Sequence, residues 1–331
     1  MITKRRALES LALTLCAPAA WAQKPTSSGS ASTWPVKPVR LLVGFPAGAS
    51  PDLAARAIAA PLAKSLGQPV LVENKPGDSG NLAADLVAKA QDDHTIGALI
   101  NGNLTIAKLL NPKTPFDPEK DFAPVAMVGT APLVLAVTGQ AQGTTPTELL
   151  LWARNLSSQG KYGTPGIGTV GHLGMELVKS RSGILATHVP FTGNPQVIAA
   201  MLAGDVQLAL LPPALVKPHL QSGKLKAIGV TSPQRSPLSG DMPTLREANV
   251  QGADLEIWTA IAAPAAMPPA AVTRLNEALA DVTRLPEVQQ ALLTAGWQAQ
   301  PGTPKALSHR MRQDTSLLGG VILMRGIKIE A

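Results

Sequence analysis

Cysteine is almost missing from this chain: among 331 residues only Cys16 is one, and it falls inside an N-terminal apolar stretch. The remainder therefore has no disulfide framework, no thiol nucleophile and no sulfur ligand for a metal. Aromatic side chains are also scarce, at 3% of the sequence. Basic residues are scattered with few aromatics among them, which argues against nucleic-acid binding. Past the N-terminus no apolar run reaches the ~18 residues that suggest a membrane span. The five histidines, His94, His172, His188, His219 and His309, include no pair at metal-ligand spacing, so neither a metal nor a cofactor is expected.

The N-terminus reads as an export signal. Lys4, Arg5 and Arg6 precede a largely apolar segment from Leu8 to Ala20, and Ala20-Trp21-Ala22 has the A-x-A form of a cleavage site. Cleavage after Ala22 and a periplasmic location follow as expectations, with the general and twin-arginine routes both open. Leu15 before Cys16 is not the small residue that lipidation requires. Removing three positive charges and one negative with residues 1–22 takes the formal net charge from +7 to +5, a field that attracts anionic solutes or serves solubility alone. Residues 23–33 are a Ser/Gly/Pro-rich linker.

The most informative segment is Val39 to Asp52. Val39 to Val43 form an apolar strand; Gly44, Pro46 and Gly48 punctuate a turn. Ser50 is placed to cap a helix, with Pro51 at its first position. Such a junction directs unpaired N–H groups and a positive helix end at one point, which favours an anion. Strand and helix signals then alternate: helix 53–66, strand 70–72, helix 82–90, strand 96–100. A second series follows: helix 148–156, strand 161–162, the turn Thr164 to Thr169, helix 173–180, strand 187–191, helix 196–203, and strands 206–211 and 225–230. A strand and then helices close the chain over 257–329. This alternation predicts an α/β fold of parallel sheets with helices on both faces. The length suggests two domains. The expected division is lobe 1 over 34–130 and 257–331 and lobe 2 over 131–256, with two crossovers acting as a hinge between lobes that face one cleft.

Several catalytic-looking strings fail on context. Gly166-Ile167-Gly168-Thr169-Val170-Gly171 matches G-x-G-x-x-G, but its preceding strand is short and no carboxylate follows at the end of the next strand. Gly77-Asp78-Ser79-Gly80 matches a protease nucleophile segment, yet it lies among α/β signals. Asp52 stands where a G-x-S-x-G elbow needs glycine. A serine hydrolase using Ser50 or Ser79 is the rival from another class, and neither serine has a positioned base. Asp52 and Arg56, at i and i+4, read as a surface ion pair. His172, one turn into a helix, is a candidate for lining the cleft.

Taken together the landmarks resemble the Bug-type extracytoplasmic solute receptors of tripartite tricarboxylate transporters. They are Trp34 to Arg40, Phe45 to Asp52, Gly67 to Val70, Val72 to Gly77, Gly80-Asn81, Asp117 to Pro124, His188 to Phe191 and Gly223 to Ala227. The resemblance implies a type II periplasmic binding protein that closes two α/β lobes on a small carboxylate without chemistry. It places ligand contacts at Phe45, Pro46, Ala47, Gly48, Ser50 and Asp52 on the first lobe. On the second they fall at Thr164, Gly166, Gly168 and Thr169, and the candidate cleft-lining His172 joins them as an expected ligand contact. Asn101 and Asn103 match a further loop, and Phe191, Thr192 and Asn194 the distal pocket. The implied partners are the carboxylate and the membrane subunits of the transporter, or a sensor kinase if the same fold serves signalling; the protein itself is expected to be a monomer. Val170 and Gly171 depart from the hydroxyl–proline pair usual there. Ala49 replaces a common glycine. Leu211-Pro212-Pro213 replaces a stretch that typically carries an aspartate, which favours plain or aromatic carboxylates over amino acids. Gly319-Gly320 interrupts an expected helix.

Overall fold

Apolar runs that sequence periodicity marks as strands do form the sheets, and polar Gly/Pro junctions separate them. The structure, a computed structural model, describes residues 34–328, so the expected leader, cleavage site and linker lie outside the described residues. The first half runs β1 (Val39–Val43), α1 (Ser50–Leu66), β2 (Val70–Asn74), α2 (Asn81–Ala88) and β3 (Thr95–Ile100). Two short helices, α3 (Asn101–Thr105) and α4 (Ala107–Leu110), lead to β4 (Phe122–Pro132) and β5 (Val134–Thr138). Next come α5 (Pro146–Asn155), β6 (Gly160–Thr164), α6 (Val170–Ser182), β7 (Ala186–Pro190) and α7 (Asn194–Ala203). They are followed by β8 (Leu208–Leu211), α8 (Pro213–Gln221) and β9 (Leu225–Val230). The return comprises β10 (Glu256–Pro264), α9 (Pro269–Val282), α10 (Pro286–Thr294), β11 (Gln298–Ala299) and α11 (Pro304–Arg325).

Two sheets result, one ordered β11-β4-β10-β3-β1-β2 and the other β7-β6-β8-β5-β9. Both are mixed, which corrects the expectation of parallel sheets. β1 is parallel to β2 and β3, but β10 runs antiparallel to β3 and β4. Likewise β6 is parallel to β7 and β8, whereas β5 is antiparallel to β8 and β9. Strand–helix alternation enforces parallel pairing only where a crossover helix returns the chain to the same edge. No helix separates β4 from β5 or β9 from β10.

Those two helix-free passages carry the chain between the sheets, at Leu133 and at Leu255. Thr231 ties them together. Its Oγ1 accepts from Leu133 N (2.9 Å) and donates to Leu255 O (2.6 Å), while its backbone pairs with Leu133 O (2.8 Å) and Leu255 N (2.9 Å). The residue is fully buried.

The C-terminal helix also joins both halves. Leu307 and Met311 of α11 pack in a core of the first sheet, and Leu318, Val321 and Ile322 pack with residues of the second. α11 is continuous through Gly319-Gly320, against the expected interruption. Glycine in a helix costs about 1 kcal/mol relative to alanine, a penalty that tertiary packing overrides. A Cβ at Gly319 would lie 3.2 Å from Leu109 Cδ1, so the missing side chain lets α4 approach the helix.

Candidate functional site

The first glycine turn follows β1. Gly44 has no room for a side chain, since a Cβ would lie 2.4 Å from Gly80 Cα. Ala49 N closes the turn on Pro46 O at 3.1 Å. Ala49, not Ser50, is the N-cap, and no side chain caps the helix there; Ser50 is already its first residue. The expected serine cap is replaced by Asp52, whose Oδ2 accepts from Gly48 N at 2.8 Å. Gly48 can meet it because it adopts φ +83°, which costs glycine little.

Asp52 is buried, so the expected surface ion pair is only half exposed: Arg56 lies at the surface and its partner does not. The carboxylate also receives Asn74 Nδ2 (2.8 Å) and Arg56 Nε (3.0 Å). Burial by itself would raise the Asp52 pKa, but the hydrogen bonds from Arg56, Asn74 and Gly48 outweigh it and hold the group below its ordinary value. Its stabilising contribution is therefore present at neutral pH and is lost as pH falls through that depressed folded value. Asp52→Ala would strand the Gly48 amide and leave Arg56 unpaired. We expect it to destabilise the protein by about 1–3 kcal/mol, measured by urea unfolding at pH 7, with the difference from wild type shrinking as pH falls through the depressed folded value.

Asn74 Nδ2 additionally donates to Phe45 O at 2.9 Å, fixing the turn from the neighbouring strand. Asn101 and Asn103 are nearly fully buried, and their amides are spent on the framework. Asn101 Nδ2 reaches Glu256 O (3.3 Å), while Asn103 Nδ2 reaches Ser79 O (3.2 Å) and Asn81 Oδ1 (2.9 Å). They shape the loop at 77–80 from behind. That loop holds Asp78 and Ser79 at φ +47° and +53°, a left-handed conformation uncommon for non-glycine residues. Such outliers cluster at functional sites.

The second glycine turn follows β6. Thr164 Oγ1 donates to Gly166 O (3.2 Å), and Thr169 Oγ1 donates to the same carbonyl (2.8 Å) while capping α6 through His172 N (3.3 Å). Gly168, at φ +76°, gives its N–H to His172 Nδ1 at 3.0 Å. His172 is buried beneath the turn, so it supports the loop where a cleft-lining role was expected. Its ring stacks on that of His188, centroids 3.9 Å apart, and His188 Nε2 lies 2.6 Å from Thr164 Oγ1. Phe191 N donates to Thr164 O at 2.9 Å, bringing the segment before α7 alongside. Thr192 is exposed, and Asn194 opens α7.

Burial, reinforced by His188, pushes His172 down to about 4. The folded state thus disfavours the protonated ring. Its contribution to stability is intact above the ordinary value of 6.5 and declines as pH falls from 6.5 towards 4. At ~1.4 kcal/mol per pH unit the loss amounts to at most about 3 kcal/mol. Thermal unfolding between pH 7 and 4 should show this slope in the wild type and a shallower one in His172→Asn.

The two turns meet. A Cβ on Gly166 would lie 3.9 Å from Ser79 Oγ, and one on Gly168 only 2.4 Å from Leu110 Cδ1. Elements of the first half therefore abut the second turn directly. The first four N–H groups of any helix lack intrahelical partners. In α6, Thr169 satisfies those of His172 and Leu173. The amides of Val170 and Gly171 stay at the open end. In α1 Pro51 has no N–H, and Leu53 N is taken by Ala49 O at 3.0 Å. None of the residues from 45 to 50 or from 164 to 169 is charged, so the positive character here comes from helix ends and amides. A cavity of about 310 Å³ lined by Thr130, Glu256, Gln298 and Arg310, and a groove of about 490 Å³ between α1 and β2, lie away from the turns.

Ser79, Leu110 and Asn74 were not singled out as site residues from the sequence. The glycines around Ser79 were the available signal, and they read as a fortuitous protease string. Neither Ser50 nor Ser79 is hydrogen-bonded to a histidine among the described residues; His172 and His188 are engaged with Gly168 and Thr164.

With this geometry in place, comparison with known proteins is decisive. The family described as "Tripartite tricarboxylate transporter family receptor" matches residues 54–326. The chain belongs to this family. It is 31% identical over 317 residues to the UPF0065 protein in the tcbD-tcbE intergenic region of Pseudomonas sp. (strain P51), covering 95% of this chain and 92% of that protein. It is 28% identical to Protein BugT of Bordetella pertussis (strain Tohama I / ATCC BAA-589 / NCTC 13251), covering 91% and 93%. Among solved structures it is similar to R. palustris Rpa4515 with adipate, at TM-score 0.80 and 31% identity, covering 89% of this chain and 99% of that one. The corresponding values for MatC (Rpa3494) from Rhodopseudomonas palustris with bound malate are 0.76 and 31%, covering 87% and 100%. The chain is thus a solute-binding protein of the Bug type with the two-lobed periplasmic binding fold.

Proposed function

We propose that this protein is a periplasmic receptor that captures a small di- or tricarboxylate, or an aromatic acid, between its two glycine turns and delivers it to the membrane subunits of a tripartite transporter. The observation that carries the reading is the pair of turns themselves. Each leads a strand into a helix N-terminus and is braced by a side-chain acceptor four residues on, and elements beside the first abut the second. Amides and helix ends of this kind favour a carboxylate, whose charge they meet without a side-chain cation. The lobes are residues 34–130 with 257–331, and 131–256, turning about the passages at Leu133 and Leu255. Closure is driven by the ligand's greater affinity for the shut form. The relatives with adipate and malate bound support the ligand class. At the end of β8, Leu211, Pro212 and Pro213 supply no carboxylate to pair with a ligand ammonium. Acids without an amino group are accordingly the expected ligands.

The test is a thermal-shift screen of the exported chain against malate, adipate, citrate, benzoate and aspartate, followed by calorimetry. A ligand at a hundredfold excess over its Kd adds about 2.7 kcal/mol of stability, so the melting temperature should climb with concentration for at least one plain acid. No response from any of them, or a response to aspartate alone, would defeat the proposal.

A further inference from the structure

The two turns share one bracing device built from chemically different acceptors. In each, a left-handed glycine donates its N–H to the side chain four positions on, Gly48 to Asp52 Oδ2 at 2.8 Å and Gly168 to His172 Nδ1 at 3.0 Å. The Asp52 charge is matched by Arg56. An aspartate at position 172 would have no such counterion, because the nearby cations are committed. Lys179 Nζ lies 2.6 Å from Glu176 Oε1, and Arg325 Nε lies 3.2 Å from Glu176 Oε2. A second uncompensated carboxylate under a carboxylate-binding turn would repel the ligand. A neutral imidazole accepts the same amide without that penalty.

An imidazole accepts through Nδ1 only when it is neutral and carries its proton on Nε2. The surroundings favour that state. The His172 ring is stacked 11° from parallel with His188, which in turn stacks on Tyr162 at 5.0 Å. Among the described residues the carboxylate acting on the stack is Glu176 of α6, and it accepts from the Tyr162 hydroxyl (2.5 Å) as well as pairing with Lys179 and Arg325, so it is already engaged. At the other end of the same turn, His188 Nε2 holds Thr164 Oγ1. The stacked pair therefore fixes both ends of the second turn, Thr164 and Gly168.

We propose that His172 is a positioning residue for ligand capture: as the neutral Nε2–H tautomer it anchors the Gly168 amide and so keeps the Val170 and Gly171 amides aimed at the ligand. This rests on the reading that the second turn binds a carboxylate. It also makes capture acid-sensitive through His172, separately from titration of the ligand.

Two kinds of measurement test it. Long-range ¹H–¹⁵N NMR of the histidine rings at pH 7, which needs no ligand, should show Nδ1 of His172 unprotonated. Calorimetry with malate and adipate should find His172→Asn, which keeps an acceptor oxygen near the Nδ1 position, within about threefold of wild type. His172→Leu should lose at least tenfold in affinity, with faster hydrogen exchange at Gly168. A ring protonated on Nδ1, or a folded His172→Leu of unchanged affinity, overturns the proposal. If the leucine variant does not fold, the asparagine variant decides, and a tenfold loss there with normal Gly168 protection also overturns it. Should wild type bind neither of these acids nor citrate or benzoate, the receptor reading fails, while the tautomer and exchange data still judge the positioning role.

Discussion

Gly168→Ala is expected to lower affinity for the carboxylate ligand at least tenfold, whereas Gly48→Ala lowers it much less. Both glycines sit at positive φ, so alanine at either position carries the left-handed penalty of about 1 kcal/mol. Their surroundings differ. A Cβ at Gly48 meets nothing within 4 Å, while one at Gly168 would lie 2.4 Å from Leu110 Cδ1. Leu110 is 5% exposed and packed in a hydrophobic cluster, so it cannot simply swing into solvent. Leu110 comes from α4 and packs among second-half residues, so relieving the clash shifts the second turn away from α4 and with it the proposed ligand contacts. Calorimetry with malate or adipate on Gly168→Ala, Leu110→Ala and the double variant forms a mutant cycle. Trimming Leu110 should restore most of the lost affinity. Equal losses at Gly48 and Gly168, or no recovery in the double variant, would contradict this account.

Thr231→Val should produce the largest loss of stability from a nearly isosteric change. The hydroxyl accepts from the buried Leu133 amide and donates to the Leu255 carbonyl, so valine leaves a polar group unsatisfied in each passage between the sheets. Each such group costs about 1–3 kcal/mol, or roughly 2–6 kcal/mol together. The melting temperature should fall by several degrees. Thr231→Ser keeps the hydroxyl and should recover most of it. A loss no greater than that of an exposed Thr→Val, such as Thr192→Val, would show that water replaces the hydroxyl and that the two passages are not tied through this side chain.

Much of the fold was legible because strands here are short apolar runs and helices end at glycines with left-handed geometry, as α1 does at Gly67 and α6 at Gly183. Both glycine turns, their order and the family were equally readable. The segment 122–138 was less so. From Val125 it is continuously buried and gives no period-two signal to separate β4 from β5. α8 was missed because its two prolines look like chain breakers, although the first of them in the helix occupies a tolerated N-terminal position. Ser50 looked like a cap by residue type, but the cap position fell one residue earlier, and the buried Asp52 instead holds the Gly48 amide just before it.

Local sequence determined the turns because their conformation depends on neighbouring residues: glycine where φ is positive, proline and small residues where a helix begins. What each amide is left free to do was decided by tertiary structure. Asn74, Asn103, His188 and Leu110 reach the turns from other strands and helices, and no periodicity within a segment reports on contacts across sheets. The antiparallel placement of β5 and β10, and the Thr231 tie between the passages, also arise from long-range pairing, which hydrophobic pattern permits without selecting.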